Sequence, residues 1–190
     1  MFSPMAMISV NRSESTLLKA HPARGKDKRP DWDTYFMDIT QVVKRRGNCR
    51  RRQVAAVIVK GHRIISTGYN GTPSGIRNCI EGGCPRCASD TPSGERLGDC
   101  ICAHAEENAI VQAAYHGVAL KDSMLYCTDS PCLLCAKMII TAGIHEVVYE
   151  TAYHYSQQVA AMFKEVGVTC RQFLRKNRSK TAGKRRPRAE

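Results

Sequence analysis

Two short segments constrain what this chain can fold into: His104-Ala105-Glu106 and, about 25 residues further on, Pro131-Cys132-Leu133-Leu134-Cys135. Zinc takes nitrogen and thiolate ligands in tetrahedral geometry, and a catalytic site uses three of them, leaving the fourth position to water. Cys132 and Cys135 are three apart, so a helix opening at Pro131 sets both sulfurs on one side of its first turn. Proline at the first helical position loses no hydrogen bond there. The free N–H groups and positive dipole end of such a helix favour thiolates. His104 completes the trio. Zinc lowers the pKa of its water to about 7, and Glu106, two residues beyond the histidine, is placed to move that water's proton. A lone C-x-x-C would fit a structural knuckle or a redox pair equally well. A purely structural site, however, would carry a fourth ligand where this pattern carries a carboxylate.

The charge needs locating before it is interpreted. The 190 residues carry a net charge of +12, but 31–170 hold 14 basic and 14 acidic residues. The excess sits in 1–30, with six Lys/Arg against two acids, and in 171–190, with nine against one. A duplex or transfer-RNA binder carries its basic stripe on the folded surface. The expectation is therefore disordered basic tails over 1–30 and 175–190 flanking one domain over 31–174, with no specific nucleic-acid partner. Lys184-Arg185-Arg186-Pro187-Arg188 resembles a nuclear address, though a short basic tail also serves solubility. No apolar run approaches the ~20 residues of a membrane span. Ten cysteines without a secretory leader fit reduced thiols and metal ligands in a cytoplasmic protein better than a disulfide framework.

Around the motifs, periodicity outlines an α/β domain. Asp31 is a suitable N-cap for a helix carrying Trp32, Tyr35, Phe36, Ile39, Val42 and Val43 on one face, with Gly47 closing it. Gln53–Lys60 and Arg63–Gly68 read as a hairpin turning at Gly61-His62. Gly68 to Pro73 reads as a loop. Helices are expected over His104–His116, Pro131–Ala142, capped by Gly143, and His154–Val166. Strands are expected over Ser123–Thr128, Glu146–Glu150 and Val168–Leu174. Strands alternating with helices after an opening hairpin predict a mixed sheet covered on both faces, a three-layer α/β/α sandwich.

Residues 76–102 lack periodicity and hold six Gly or Pro and five cysteines: Cys79, Cys84, Cys87, Cys100 and Cys102. An irregular segment this long in a compact domain needs a reason. A second, structural zinc supplies one, with Cys84-Pro85-Arg86-Cys87 at knuckle spacing and Cys49 folding back to join. Six cysteines compete for four positions, and spacing leaves the choice open, some being ordinary buried thiols; Cys49, Cys79, Cys84 and Cys100 are the candidates carried forward.

With these motifs the chain resembles the cytidine deaminase superfamily and, within it, the deoxycytidylate deaminases, including their bacterial competence-associated branch. His-x-Glu followed by Pro-Cys-x-x-Cys is the signature of zinc nucleobase deaminases. The likeness runs from Trp32-Asp-Thr-Tyr-Phe-Met37 through Arg52-Gln-Val, Gly68-Tyr-Asn-Gly71, His104-Ala-Glu-Glu-Asn-Ala-Ile110 and Pro131-Cys-Leu-Leu-Cys-Ala-Lys137 to Gly143-Ile and Val147-Val-Tyr149. It implies a five-stranded mixed sheet, assembly into a homo-oligomer, and hydrolysis of dCMP to dUMP and ammonia. It also implies zinc on His104, Cys132 and Cys135, with Glu106 shuttling protons. Asn70 would take the sugar hydroxyl, the backbone around Ala105 and Ser130 the pyrimidine edge, and Tyr153 would lie near base or phosphate. The same resemblance implies regulation by dCTP with Mg and by dTTP near the Gly68–Gly71 loop, and places resembling Cys49 and Cys79 in a second zinc site. Where the family usually reads Val-Gly-Ala-Val, this chain has Val54-Ala55-Ala56-Val57, which predicts an extra methyl beside the sugar pocket. Arg50-Arg51-Arg52 could clamp a phosphate or stand as solvated charges.

Two other readings compete. A polynucleotide deaminase of the transfer-RNA adenosine type shares the zinc motif but predicts a basic groove on the body. A catalytically silent, zinc-stabilised nucleotide-binding module has no need of Glu106.

Overall fold

The computed structural model describes residues 28–153 and 156–175. The tails expected over 1–30 and 175–190, with the Lys184–Arg188 run, lie almost wholly outside the described residues. Arg175 is described, and ion pairs of 2.6 Å to Asp38 and Glu150 hold it on the body.

Helix α1 (Trp32–Lys44) starts at Asp31, whose carboxylate accepts the Thr34 N–H at 2.8 Å. The helix ends without the glycine cap expected of Gly47. Arg45, still right-handed, donates its N–H to Val42 O, and the Gly47 N–H closes on Lys44 O at 2.9 Å. Strands β1 (Ala55–Lys60) and β2 (Arg63–Tyr69) form the hairpin. Gly61 and His62 both take positive φ, 53° and 59°, the backbone a two-residue turn needs to match the strand twist. The cysteine-rich stretch contains only short 3-10 turns and one helical turn, α2 (Pro85–Ala88).

The chain then alternates: α3 (Ala105–Tyr115), β3 (Met124–Asp129), α4 (Leu133–Thr141), β4 (Glu146–Thr151), α5 (Gln157–Glu165) and β5 (Thr169–Gln172). The sheet order is β2-β1-β3-β4-β5. The first two pairings are antiparallel, and α4 and α5 cross over to make β3, β4 and β5 parallel. Side chains alternate between faces along each strand. Val57, Val59, Tyr126 and Val148 pack under Phe36 and Met37 of α1. Ala56, Ile58, Leu125, Cys127, Val147 and Tyr149 pack under the small and branched side chains of α3, α4 and α5. The result is the expected mixed five-stranded sheet between helical layers.

Three boundaries moved, each because a cap takes extended backbone. His104 (ψ 161°) and Cys132 (ψ 173°) are N-caps of α3 and α4. Pro131 therefore precedes the cap and is not the first helical residue. Helix α5 opens after Ser156, whose hydroxyl accepts the Val159 N–H, rather than at His154, which lies outside the described residues. Gly143, at φ 76°, follows the C-cap of α4 as expected. Ala55 shares strand parity with Val57, so its methyl points to the α1 face. Ala56 is the residue on the face of α3.

Asp33 on α1 ties this layer to the far edge of the sheet. Its carboxylate takes two bonds from the Arg171 guanidinium, at 2.7 and 2.9 Å, and one from the Tyr126 hydroxyl at 3.0 Å. The Arg171 hydrogen bond is the main cause holding the Asp33 carboxyl below its ordinary 3.8, against the opposing effect of burial. A depressed folded value means that the stabilisation is present above 3.8 and is lost as pH falls through the folded value. Asp33→Asn is expected to cost about 1 kcal/mol in urea unfolding at pH 7, discounted for a pair about one-third exposed, and progressively less as pH is taken below 3.8. A loss that stays undiminished below 3.8 would contradict this assignment.

Candidate active site

In a mixed sheet of this kind, ligands bind beyond the carboxyl ends of the parallel strands. There β3 runs out into Ser130, and the N-termini of α3 and α4 meet. His104 is fixed by its own backbone, since its N–H donates to Glu107 Oε2 at 3.1 Å. Helix α3 is locked onto β2 by Asn108, which donates to Tyr69 O at 2.8 Å, and by Ser66, whose hydroxyl donates to Ala109 O at 2.6 Å. Cys132 at the cap of α4 and Cys135 one turn on bring their sulfurs to 3.6 Å. His104 Nδ1 lies 3.3 Å from Cys135 Sγ and 3.4 Å from Cys132 Sγ. Zinc bonds of about 2.3 Å to sulfur and 2.0–2.1 Å to nitrogen make tetrahedral edges of roughly 3.6–3.8 Å, so the three atoms fit one ion after small adjustment.

Their electrostatics fit the same ion. A hydrogen bond from Cys135, and a second from His104, push the Cys132 thiol down to about 3. The Cys132 hydrogen bond raises the His104 imidazole to about 9, while the Cys132 contact and burial push the Cys135 thiol up. The lowering at Cys132 favours the thiolate, the ligand form zinc requires. Glu106, on the first turn of α3, is 4% exposed. Burial raises its carboxyl to about 7, against the opposing effects of its own backbone N–H and the charge on His104.

Beside the trio, Ser130 is clamped to Tyr153: its hydroxyl donates to Tyr153 O at 2.6 Å and accepts the Tyr153 N–H at 2.9 Å. The Tyr153 ring carries the Arg52 guanidinium 3.8 Å from its centre. Arg52 also makes a two-pronged bond to Asp129 at 2.8 and 2.9 Å. Ala105 is fully buried at the first position of α3. The Asn70 amide bridges the start of β1, accepting from Val54 N at 2.9 Å and donating to Arg52 O at 2.7 Å. Arg50, Arg51 and Arg52 do not converge on one anion. Arg51 turns into the insertion and donates to the carbonyls of Arg86, Cys87, Ser89 and Thr91.

The cysteines of the insertion gather with Cys49, but not as the tetrad Cys49, Cys79, Cys84 and Cys100. Cys49 and Cys79 fall in one group and Cys84 and Cys100 in another, and Cys87 and Cys102 belong to both. Reading Cys84-x-x-Cys87 as a knuckle already pointed to Cys87. Cys102 was available from its place two residues before His104. Asp129, Glu107 and Asn108 carry no local signal of their positioning roles, which arise only when strand and helix ends meet.

A histidine and two cysteines at two joined helix ends, with a carboxylate buried close by, make a donor set that fits one zinc ion with three protein ligands rather than four. Residues 30–151 match the cytidine and deoxycytidylate deaminase zinc-binding region, and the chain belongs to that family. It is 47% identical over 146 residues to a deoxycytidylate deaminase of Schizosaccharomyces pombe, covering 77% of this chain and 45% of that protein. The Saccharomyces cerevisiae deoxycytidylate deaminase is 46% identical over 145 residues, covering 76% and 46%. The chain thus spans a little under half the length of these two relatives. The dCMP deaminase of cyanophage S-TIM5, solved in complex with dCMP and dUMP, superposes with a TM-score of 0.62 at 32% identity, over 77% of this chain and all of that one. Among the described residues no helix is long and apolar enough to cross a membrane.

Proposed function

We propose that this chain deaminates dCMP hydrolytically to dUMP and ammonia, a step that supplies dUMP for making dTMP. The observation that carries this reading is the convergence of His104, Cys132 and Cys135 with a buried Glu106 beside them, in a chain similar to enzymes named for that substrate. His104, Cys132 and Cys135 would hold zinc. Bound there, zinc supplies Lewis acidity and lowers the pKa of a water to about 7. Glu106 then does the proton work: a carboxyl poised near neutrality takes a proton from water, delivers it to the ring nitrogen and passes a further one to the departing amine. Helix α3 carries both His104 and Glu106, so the 3.1 Å bond from His104 N–H to Glu107 fixes the distance between ligand and base.

The remaining residues orient the nucleotide. Asn70, with its amide already held by Arg52 O and Val54 N, keeps one N–H and one lone pair for a sugar hydroxyl. Ala105 and Ser130 line the pyrimidine edge through their backbone. Tyr153, held by Ser130 on one side and by Arg52 on the other, closes the base or phosphate side. The cysteine groups around the insertion support structural zinc in addition to the catalytic ion. Exposed Val111 and Tyr115 on α3 and Leu134 on α4 leave apolar area that supports assembly of several copies. Ten free thiols fit a reducing, cytoplasmic compartment. Regulation by dCTP with Mg and by dTTP belongs to the same reading.

The test is ammonia release from dCMP, deoxycytidine and single-stranded nucleic acid, with and without dCTP and Mg, on protein of known zinc content. Turnover confined to dCMP is expected. Activity confined to nucleic acid would replace this reading with the polynucleotide one.

A further inference from the structure

Six cysteines outside the active site occupy one buried region and form two groups of four. Cys49, Cys79, Cys87 and Cys102 make the first, and Cys84, Cys87, Cys100 and Cys102 the second. Within each group every sulfur lies within 4.8 Å of the others. The spacings are those of metal thiolates: Cys87 Sγ is 3.7 Å from Cys100 and 4.0 Å from Cys49, and Cys84 is 3.8 Å from Cys100. With zinc–sulfur bonds of about 2.3 Å, the edge of a tetrahedron of sulfurs is about 3.8 Å. A disulfide would need about 2.05 Å, and all ten cysteines are free.

One ion cannot account for this arrangement. Placed in the first group it leaves Cys84 and Cys100 without a metal, and placed in the second it leaves Cys49 and Cys79. Two tetrahedral ions need eight sulfur positions, and six sulfurs supply eight when two of them bridge. The two cysteines common to both groups, Cys87 and Cys102, are the ones that would bridge. We propose that the insertion is ordered by a binuclear zinc–thiolate cluster in which Cys49 and Cys79 bind one ion, Cys84 and Cys100 bind the other, and Cys87 and Cys102 join them. This deepens the reading of the insertion as metal-bound by giving the number of ions and the bridging sulfurs.

The surroundings of the terminal sulfurs agree. Cys79 Sγ accepts the Arg50 N–H at 3.4 Å. The backbone N–H groups of Arg51 and Arg52 face Cys49, and those of Cys87 and Ile101 face Cys84. Such donors orient thiolate ligands and spread their charge. Six thiolates on two divalent ions leave a net charge of −2, and assembly releases the thiol protons to solvent. Arg51 and Arg86 are both held by carbonyls of the insertion, Arg51 by Cys87 O among others and Arg86 by Pro92 O and Glu95 O.

The cluster also reaches the active site. Bridging Cys102 is two residues before His104, and Ala103 between them pairs with Gly71 in both directions, at 2.9 and 3.2 Å. Cys49 follows Asn48, whose N–H donates to Asn70 O and whose side chain accepts the Thr72 N–H. Both ends of the Asn70–Thr72 loop and the strand leading to His104 are thereby tied to the metals.

Metal analysis of the full chain, purified without chelator, is expected to find three zinc ions per chain. His104→Ala should leave two, which separates the catalytic ion from the cluster. Cys49→Ser and Cys84→Ser should each lose one ion, whereas Cys87→Ser and Cys102→Ser should each lose two. X-ray absorption at the zinc edge of the wild-type protein should contain a short zinc–zinc path, a readout that stands even where a bridging variant fails to fold. Two ions in the wild type, retention of one cluster ion in Cys87→Ser, or three ions without a zinc–zinc path would each overturn the proposal. Turnover of dCMP is scored separately, so three ions in a protein inactive on dCMP would refute the substrate and keep the cluster.

Discussion

Glu106→Gln is expected to lower ammonia release from dCMP by roughly 10²–10⁴-fold while leaving the zinc content unchanged. The glutamine has the same shape and can still accept and donate hydrogen bonds, so the buried site at the first turn of α3 need not rearrange. What it cannot do is take a proton from water and give it back to a ring nitrogen. Because His104, Cys132 and Cys135 are untouched, metal analysis of the variant separates loss of the proton carrier from loss of the ion. The same substitution has a second consequence, visible without any metal. The Glu106 carboxyl has a folded value of about 7 against an ordinary 4.5, because burial disfavours its charged form. Below 4.5 the group is protonated in both states and costs nothing. Between 4.5 and about 7 the unfolded chain releases a proton that the folded chain keeps, so stability falls, and the full cost is present above 7. Metal-stripped wild-type protein should therefore lose stability relative to metal-stripped Glu106→Gln as pH rises through this window, by on the order of 3 kcal/mol. Parallel stability curves for the two proteins would show that the carboxylate is solvated in the fold.

What could be read from the sequence divides along a physical line. The meeting of His104, Cys132 and Cys135 was legible because a metal with few ligands and fixed geometry leaves few spacings that work, and helix capping lets two short segments deliver it. The sheet was legible because hydrophobic alternation and the Gly61-His62 turn are local. The arrangement of the insertion was not. Which sulfur of Cys79, Cys84, Cys87, Cys100 and Cys102 meets Cys49 depends on a path of turns with no periodicity, and cysteine spacing alone does not distinguish a ligand that serves one ion from one that serves two. The facing of the Ala55 methyl was not legible either, since whether position 55 faces α1 or α3 follows from the register Ala56↔Cys127, which only the assembled sheet fixes. Arg52 was similarly visible as a cation and invisible as the partner of Asp129, 77 residues away.

Gly68→Ala is expected to lower both stability and turnover sharply, because the added methyl would press on the helix that carries the site. Gly68, read as the last residue of the second strand and the start of a turn-rich loop, lies within β2, which runs one residue further to Tyr69 and is crossed there by α3. A Cβ there would sit 2.2 Å from Ala105 O and 2.4 Å from Ala109 N. Both atoms are helix backbone, so no side-chain rotation relieves the contact, and α3 would have to lift from β2 by on the order of 1 Å. The helix is held down on both sides of this point by Ser66 to Ala109 O and by Asn108 to Tyr69 O, bonds that lifting would stretch. Overpacking of a tight core costs about 1–3 kcal/mol, and a rigid backbone contact belongs at or above the upper end. The chemical cost is larger, because α3 carries His104 at its cap and Glu106 on its first turn. A misplacement of about 1 Å lowers turnover on the order of 10²-fold. Gly98→Ala is the control: its Cβ meets nothing within 4 Å, and its stability should stay within about 0.5 kcal/mol of wild type. Urea unfolding and dCMP turnover of the two variants, both zinc-saturated, make the comparison. A Gly68→Ala protein as stable and active as Gly98→Ala would mean that α3 does not rest on β2 at this point, and the positions assigned to His104 and Glu106 would have to be redrawn with it.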